Sequence, residues 1–389
     1  MHSMFSYVFM IIYLTYNDPP SGIYSSQVID VVRFMRQELD TKIRLVAFIS
    51  LRNFFYNKRQ IRKELPDALV VPMFPSVQRW RKNSFFLKVL VLYLRPKKII
   101  ARSVLACNLA LIARLKKTKV VYDGRGAIAA EWKEYGVVNN PSLLAEIEEL
   151  ERQAIQKSHF RIAVSEQLVK HWREQFSYTK DEHVVIPCTL NAAFENLELT
   201  SEKITEARKE LGLTAEDIVF VYSGSVSGWQ SFSLLEKFMV PVLESSPSNK
   251  LVFFSPPHKN IKTLQQQYPY QVFCRLLSPN EVPAFLVAGD YGLLIRDESV
   301  TNRVASPVKF AEYLACGLKV IINADLGDYS AFVERERCGY VLKGSILAGS
   351  PLLIKPVQKQ EFRALAMTLF TKLAYKKNYL KTINILKSV

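Results

Sequence analysis

The sequence has little of what builds extracellular, fibrous or metal-centred proteins. Its five cysteines, Cys107, Cys188, Cys274, Cys316 and Cys338, are odd in number, far apart and without a C-x-x-C pair. That excludes a disulfide framework and the common zinc modules, and reads as reduced thiols in a cytoplasmic protein. With only 14 glycines and 18 prolines in 389 residues, collagen-like and low-complexity classes are excluded too. No D-x-D occurs, and His2, His159, His171, His183 and His258 are scattered without ligand spacing, so no metal site is expected. G-x-G-x-x-G, Walker and G-x-S-x-G motifs are all missing, which leaves dinucleotide enzymes, P-loop NTPases and α/β-hydrolases without their signatures. No apolar run reaches the ~18 residues of a membrane span. Tyr7–Leu14 is apolar but short, with neither a basic leader nor a small-residue cleavage site, and reads as a buried first strand.

What is present is apolar and basic. Hydrophobic residues make up 49% of 389, enough for two cores in domains of about 180 residues each. The net charge is +16, concentrated before Lys119 and again in the tail from Lys372 to Lys387. Such a field attracts nucleic acid, acidic lipid or a phosphorylated substrate. Nucleic acid is set aside, because no helix-turn-helix, zinc finger or aromatic RNA-binding motif accompanies the charge.

In the first half, strands are expected at Tyr7–Thr15, Ile43–Ile49, Ala68–Pro72, Lys98–Ala101, Lys119–Tyr122, Arg161–Val164 and His183–Pro187. Helical patterns at Gln27–Leu39, Trp80–Leu94, Asn140–Ser158 and after Ser165 alternate with them, as in a doubly wound parallel sheet. Ligands of such sheets bind outside the carboxyl ends of the strands. Arg102, Asp123 and Arg125 stand at such ends. Either arginine could meet a phosphate or carboxylate, and Asp123 could accept from sugar hydroxyls or act near a reacting centre. The plain alternative is an Asp–Arg salt bridge that shapes the loop. Glu131 follows on a short helical stretch. Gly22, alone in the loop after the first strand, either lets backbone approach a ligand or makes an ordinary turn. The aromatic, base-bracketed stretch Trp80–Leu94 suits a helix lying on an anionic membrane, or one packed on the sheet with a solvated edge.

The second half repeats the pattern. Ile218–Tyr222 runs into the Gly/Ser loop Ser223-Gly224-Ser225 to Gln230, followed by a helix from Phe232. Strands at Leu251–Ser255, Gln271–Cys274 and Asp290–Ile295 follow, the last with Arg296 at its exit. Then comes Ser306–Asn323, SPVKFAEYLACGLKVIIN. Here Ser306 can cap a helix, Pro307 suits its first position and Gly317 can close its last turn. Lys309 is the odd member, because a cation in the first turn opposes the helix dipole unless an anion sits in front of it. Glu312 could accept from two vicinal hydroxyls; the plain alternative is a Lys309–Glu312 surface pair. The tail from Pro356 reads as mostly helical, with 361–389 expected to return to the first domain.

These residues carry a resemblance. Tyr222–Ser225 (Y-S-G-S), Ser306–Gly317 (S-P-x-K-x-x-E-Y-L-A-C-G) and Asp123–Gly126 (D-x-R-G) resemble motifs of GT-B glycosyltransferases, most similarly those of family 4. The resemblance implies two Rossmann-like domains facing a cleft: 1–190 on the acceptor side, 191–360 on the donor side, and 361–389 packing back toward the first. It implies a retaining, metal-independent, cofactor-free hexosyltransferase acting on a nucleotide-diphosphate sugar. By analogy Ser306, Pro307 and Lys309 meet the diphosphate, Glu312 meets the ribose, and Gly22 closes over the phosphates. Ser223, Gly224, Ser225, Gln230 and Arg296 join the donor site, Asp123, Arg125 and Lys309 carry the chemistry, and Arg102 and Glu131 face the acceptor. A glycan or lipid-linked glycan at the inner membrane face, in surface polysaccharide assembly, is the expected acceptor. Two departures stand out: Val304 occupies the position of an acidic residue in many relatives, and Ser225 and Gln230 stand where many have Arg and Lys. The alternatives are a non-catalytic GT-B scaffold for a partner transferase, a sugar-nucleotide epimerase, or a phosphorylase.

Overall fold

The computed structural model describes residues 10–225, 231–342 and 356–384. The chain forms two compact units, one of Met1–Pro187 with Tyr375–Val389 and one of Cys188–Ala374. Gln230, part of the expected donor loop, lies outside the described residues.

The first unit is built on a seven-stranded sheet of β1 (Ile11–Tyr16), β2 (Ile43–Ser50), β3 (Leu69–Met73), β4 (Lys98–Arg102), β5 (Lys119–Gly124), β6 (Phe160–Ala163) and β7 (His183–Val185). Their order is β3-β2-β1-β4-β5-β6-β7, every pairing parallel. Parallel strands covered on both faces have no solvent side, so β1 reads IIYLTY without alternation and all six residues are buried. The second unit repeats the plan with β8 (Ile218–Ser223), β9 (Asn249–Phe254), β10 (Val272–Cys274), β11 (Tyr291–Leu294), β12 (Lys319–Asn323) and β13 (Gly339–Leu342). Its order is β10-β9-β8-β11-β12-β13, again parallel throughout. The order reverses direction between β1 and β4, and between β8 and β11, so the loops leaving those strands diverge and open a crevice at the carboxyl edge of each sheet.

Several expectations are corrected. The helix expected from Gln27 starts at Gly22, passes through a π-helical turn at Ser25–Ile29 and becomes α-helical at Asp30–Gln37. It begins early because the Ser21 side chain accepts a hydrogen bond from the Tyr24 amide at 3.1 Å. The Trp80–Leu94 stretch is not one helix but a 3₁₀ segment, Val77–Asn83, followed by the helix Ser84–Leu94. Asn83 marks the break: its side chain accepts from the Phe74 amide and donates to Tyr16 and Pro75, tying this point to β1 and β3. The sequence reading left out the helices Phe54–Glu64 and Val104–Ala113 and the strand β13.

The tail divides between the units. The helix Pro356–Leu369 packs on the helix Val308–Ala315 of the second unit, with Arg363 donating to the Ala315 carbonyl at 2.9 Å. The helix Lys376–Asn384 belongs to the first, where Asn378 donates to Val185 and buried Lys98 donates to Thr382.

One contact fixes the second crevice. The Tyr313 ring lies flat against the backbone of β11, so close that a Cβ on Gly292 would stand 2.3 Å from it. Its hydroxyl accepts from the Ser223 amide at 3.0 Å and donates to the Leu293 carbonyl at 3.3 Å, holding the exits of β8 and β11 together. Gly292→Ala forces the ring or the strand to shift, and overpacking of this kind costs about 1–3 kcal/mol. Urea denaturation checks it: an unchanged midpoint would mean the ring does not occupy this position.

Candidate functional site

In the second unit the exit of β8, the exit of β11 and the start of the Val308–Ala315 helix share the carboxyl edge. The chain leaves β8 through Ser223, buried, and Gly224 at φ +145°, a backbone conformation open to glycine. The Gly224 amide donates to Phe254 at 3.1 Å and the Tyr222 hydroxyl to the Ser225 carbonyl at 2.7 Å, which holds the described part of the loop. At the neighbouring exit, the Arg296 amide donates to Asn323 at 2.7 Å and its Nη1 to Asn302 at 3.3 Å. Burial pushes the Tyr222 hydroxyl well up, and the nearby Arg296 charge pulls it back down. Asn323 thus holds the backbone of Arg296 and Asn302 its guanidinium.

The helix that follows departs from expectation at its first residues. Ser306 does not cap it. Its Oγ accepts from the Cys188 amide at 2.9 Å and shares a 2.8 Å hydrogen bond with Tyr329, so it is used to anchor the segment. Pro307 takes the cap position in extended conformation, and the helix begins at Val308 without a side-chain cap. Pro307 has no N–H and the Phe310 amide donates to the Pro307 carbonyl at 3.1 Å, so the uncapped start presents the Val308 and Lys309 amides at the positive end of the dipole. Gly317, at φ +78°, ends the helix as read from the sequence. Lys309 donates to Glu312 at 2.6 Å, the pairing named above as the plain alternative. Glu312 is nearly buried at 9% side-chain exposure and Lys309 partly so at 25%, which makes this more than a solvated surface pair. An ammonium has three N–H donors, and the Glu312 bond occupies one. Val304, eight residues before Glu312, is an aliphatic side chain 2% exposed.

The first unit gathers another cluster at the carboxyl edge of its sheet. Asp123 lies inside β5, fully buried, not in the loop after it. Its carboxylate accepts from Tyr13 at 2.6 Å, the phenol reaching across β4, and from Arg125 at 3.1 Å, with a 2.9 Å ion-pair contact besides. Burial first, and then the Asp123 charge, drives the Tyr13 hydroxyl far up, so it stays a donor. The Asp–Arg bridge that shapes the loop is therefore present. Arg102 on β4, register partner of Asp123, donates its Nε to Asp18 at 3.2 Å. Gly22 is exposed at the start of the neighbouring helix and has no left-handed backbone, so its conformation does not require glycine.

Glu131 sits on the helix Ile128–Tyr135 and is not alone there. Its carboxyl is raised by burial and by Glu134. Beside it is a residue the sequence reading missed. Glu151, fully buried on the helix Pro141–Lys157, accepts from the Ile128 and Ala129 amides at 3.1 and 2.8 Å. It caps the helix that follows the D-x-R-G turn. A signal existed: Leu143, Ile147, Glu151 and Ala154 follow one helical stripe, and a carboxylate on a buried stripe needs a partner. Tyr13, Asp18 and Tyr313 left no comparable trace.

No protein-family model and no curated protein matches this sequence. Solved structures do. A glycosyltransferase from Rickettsia africae ESF-5 is similar at 14% identity and TM-score 0.69, over 98% of this chain and all of that one. Anabaena Alr3699/HepE, crystallised with UDP, is similar at 14% identity and TM-score 0.69, over 97% of this chain and 100% of that one. A putative UDP-N-acetylglucosamine 2-epimerase from Listeria monocytogenes is less similar, at 10% identity and TM-score 0.51, over 96% and 90%. At these identities the likeness establishes the fold: two Rossmann-like parallel-sheet units, as in GT-B glycosyltransferases.

Glu151 makes the stability of the first unit sensitive to pH. Burial raises its carboxyl from 4.5 to about 7, while the two amide hydrogen bonds lower it and Glu131 adds to the rise. A carboxyl raised on folding contributes stability that is complete below its unfolded value and lost as pH climbs through the folded one. Between about pH 4.5 and pH 7 this group should remove on the order of 3 kcal/mol. The loss should be absent in Glu151→Gln. Urea unfolding of both proteins at pH 5 and pH 8 measures the difference; parallel pH profiles would exclude Glu151 as its source.

Proposed function

We propose that the chain is a glycosyltransferase taking a sugar from a nucleotide-diphosphate donor. The observation that carries the reading is the uncapped start of the Val308–Ala315 helix with Lys309 in its first turn, beside the β8–β11 crevice. Amide donors, dipole and ammonium converge on what a diphosphate presents. In this reading Glu312, tied to Lys309 and one turn further along the helix, accepts from the vicinal hydroxyls of a ribose. UDP in the HepE crystal and the glycosyltransferase fold support the same reading. A retaining course without metal, hexosyl transfer and family 4 kinship follow the resemblance of the motifs.

The chemistry asks for a cation at the donor's diphosphate. As the glycosidic bond breaks, the leaving group gains charge, and a cation about 4 Å away stabilises it by around 4 kcal/mol at an effective dielectric of 20. That is roughly a thousandfold in rate if felt only in the transition state. With no Arg/Lys pair at Ser225 and Gln230, Lys309 is the first candidate to supply it, and Arg125, Arg296 and Arg102 are the next candidates.

A second reading has its own support. Val304 is a buried aliphatic side chain at the position where an acidic group would hold the sugar, which fits a non-catalytic scaffold that keeps the nucleotide site. Release or transfer of sugar from a nucleotide sugar by purified protein separates the two.

For the acceptor we infer a glycan or lipid-linked glycan met at an anionic membrane surface, the inner face in a cytoplasmic, peripheral protein. None of the described helices is long and apolar enough to cross a membrane. The helix Ser84–Leu94 buries Leu87 and Val91 but exposes Phe85 by 68% and Tyr93 by 82%, with Val89 and Leu92 also outward. Arg79, Arg81, Lys82, Arg95 and Lys97 flank it. Apolar side chains inserted between headgroups, with lysine and arginine worth about 1 kcal/mol each near acidic lipid, make a peripheral contact.

Two measurements follow. Nucleoside diphosphates screened by thermal shift should stabilise the protein, and Lys309→Ala should lower turnover by two to three orders of magnitude if the ammonium acts on the leaving group. Weakened donor binding with full turnover would remove Lys309 from the transition state. Co-sedimentation with vesicles should need anionic lipid, fade with salt and be cut by Phe85→Asp. Equal binding to neutral vesicles, with no salt response, would sink the membrane contact.

A further inference from the structure

The chain passes between the units twice, from Pro187 to Cys188 and from Ala374 to Tyr375. Within the second unit, both passages converge on the helix start that carries Lys309. The amide of Cys188, the first residue of that unit, donates to Ser306 Oγ at 2.9 Å, and Ser306 shares a 2.8 Å hydrogen bond with the Tyr329 hydroxyl. The Tyr329 ring lies on that of Phe310, with centroids 4.1 Å apart and planes 7° from parallel. Phe310 follows Lys309 directly, and its amide closes the first turn on Pro307. Phe370 stands edge-on to both rings, at 5.6 and 6.0 Å. Its carbonyl accepts from the Leu190 amide at 2.8 Å, and Lys372 Nζ donates to the Leu190 carbonyl at 2.6 Å. Cys188 and Leu190 belong to the first passage, Phe370 and Lys372 to the second. The two passages are thus bonded to each other and to one ring stack. Ser306, Phe310, Tyr329, Phe370, Leu190 and Lys372 are all buried. A closely packed hub transmits displacement, because its members have no room to move singly.

We infer that Ser306 is a positioning residue that ties the start of the Val308–Ala315 helix to both passages, so that an anion held there orders the two segments joining the units. A serine hydroxyl has one proton and two lone pairs, and here it is engaged by the Cys188 amide and the Tyr329 hydroxyl. In this role it acts through the helix start, not on the ligand. An anion restraining the Val308 and Lys309 amides limits the motion of Ser306 and Phe310 on either side of them. The linkage runs both ways: whatever loosens the passages weakens anion binding. That the anion is a donor's diphosphate rests on the glycosyltransferase reading; the tie between Ser306 and the passages does not.

Hydrogen exchange at the Cys188 and Leu190 amides of the full chain, with and without inorganic pyrophosphate, tests the coupling. Leu190 is the reporter, since its amide bonds to Phe370 and not to Ser306. Saturating pyrophosphate should slow both amides about tenfold in the wild type. In Ser306→Ala without ligand, Leu190 should exchange about tenfold faster than in the wild type, and saturating pyrophosphate should no longer slow it. Ser306→Thr, which keeps a hydroxyl, should restore both effects. Tyr329→Phe keeps the ring stack and removes one partner of Ser306, so it should move Leu190 in the same direction as the alanine variant with the core intact. Faster exchange at Cys188 alone, with Leu190 unmoved in both variants, is the loss of one hydrogen bond and overturns the inference. A wild type that binds pyrophosphate by calorimetry with Leu190 unmoved overturns it as well. Absence of any pyrophosphate isotherm overturns the inference and the donor reading together. Ligand-dependent exchange as described, in a protein that transfers no sugar from a nucleotide sugar, supports the coupling and sinks the transferase reading alone.

Discussion

The closeness of the Tyr313 ring to Gly292 is the constraint on which the second unit's site depends. A ring pressed on bare backbone brings its hydroxyl to the Ser223 amide and the Leu293 carbonyl at once. Two strands whose following loops must diverge are thereby held at a fixed spacing where they part. Arg296 and the Gly224 turn leave from that clamp, and Tyr313 itself rides on the helix whose first turn carries Lys309. Any side chain at residue 292 would separate these parts before any charge was altered.

The charged residues of both units are held by one another, and this has chemical consequences. Asp123 is engaged by Tyr13 and Arg125, Lys309 by Glu312, and Arg102 by Asp18. Buried charges need partners, since an isolated one would cost several kcal/mol. Pairing does not by itself remove them from function. An ammonium or guanidinium keeps donors after one bond is made, so a paired cation can still meet an anion. Asp123 differs, being fully enclosed, with a phenol donating to it; its role on these observations is to fix the D-x-R-G turn from behind.

Glu151 does similar work from the other side of that turn. Gly124 is packed so closely by Trp172 that a Cβ would stand 2.6 Å from the indole, and two residues after Gly126 the helix is capped by the Glu151 carboxylate. Arg125 therefore sits on a short span fixed at both ends. A cap supplied by another helix, instead of by the residue at the helix start, links the turn to the packing of Pro141–Lys157 and to its protonation.

Local pattern alone determined a great deal here. Unalternating apolar runs separated by helical periods are readable because a doubly covered parallel strand has no polar face to show, and they set two Rossmann-like units and nearly all their strands. Gly317 ended its helix where a left-handed residue was needed. What the sequence could not show is which polar groups meet. Ser306 was suited to cap its helix, yet Cys188 and Tyr329, distant in the chain, took its hydroxyl, and Pro307 moved to the cap position. The bond between Arg102 and Asp18 likewise arises only when β1 and β4 become neighbours across 80-odd residues of intervening chain. Periodicity is a property of near neighbours along the chain; hydrogen-bond partnership is decided by proximity in space, and only the folded sheet supplies that.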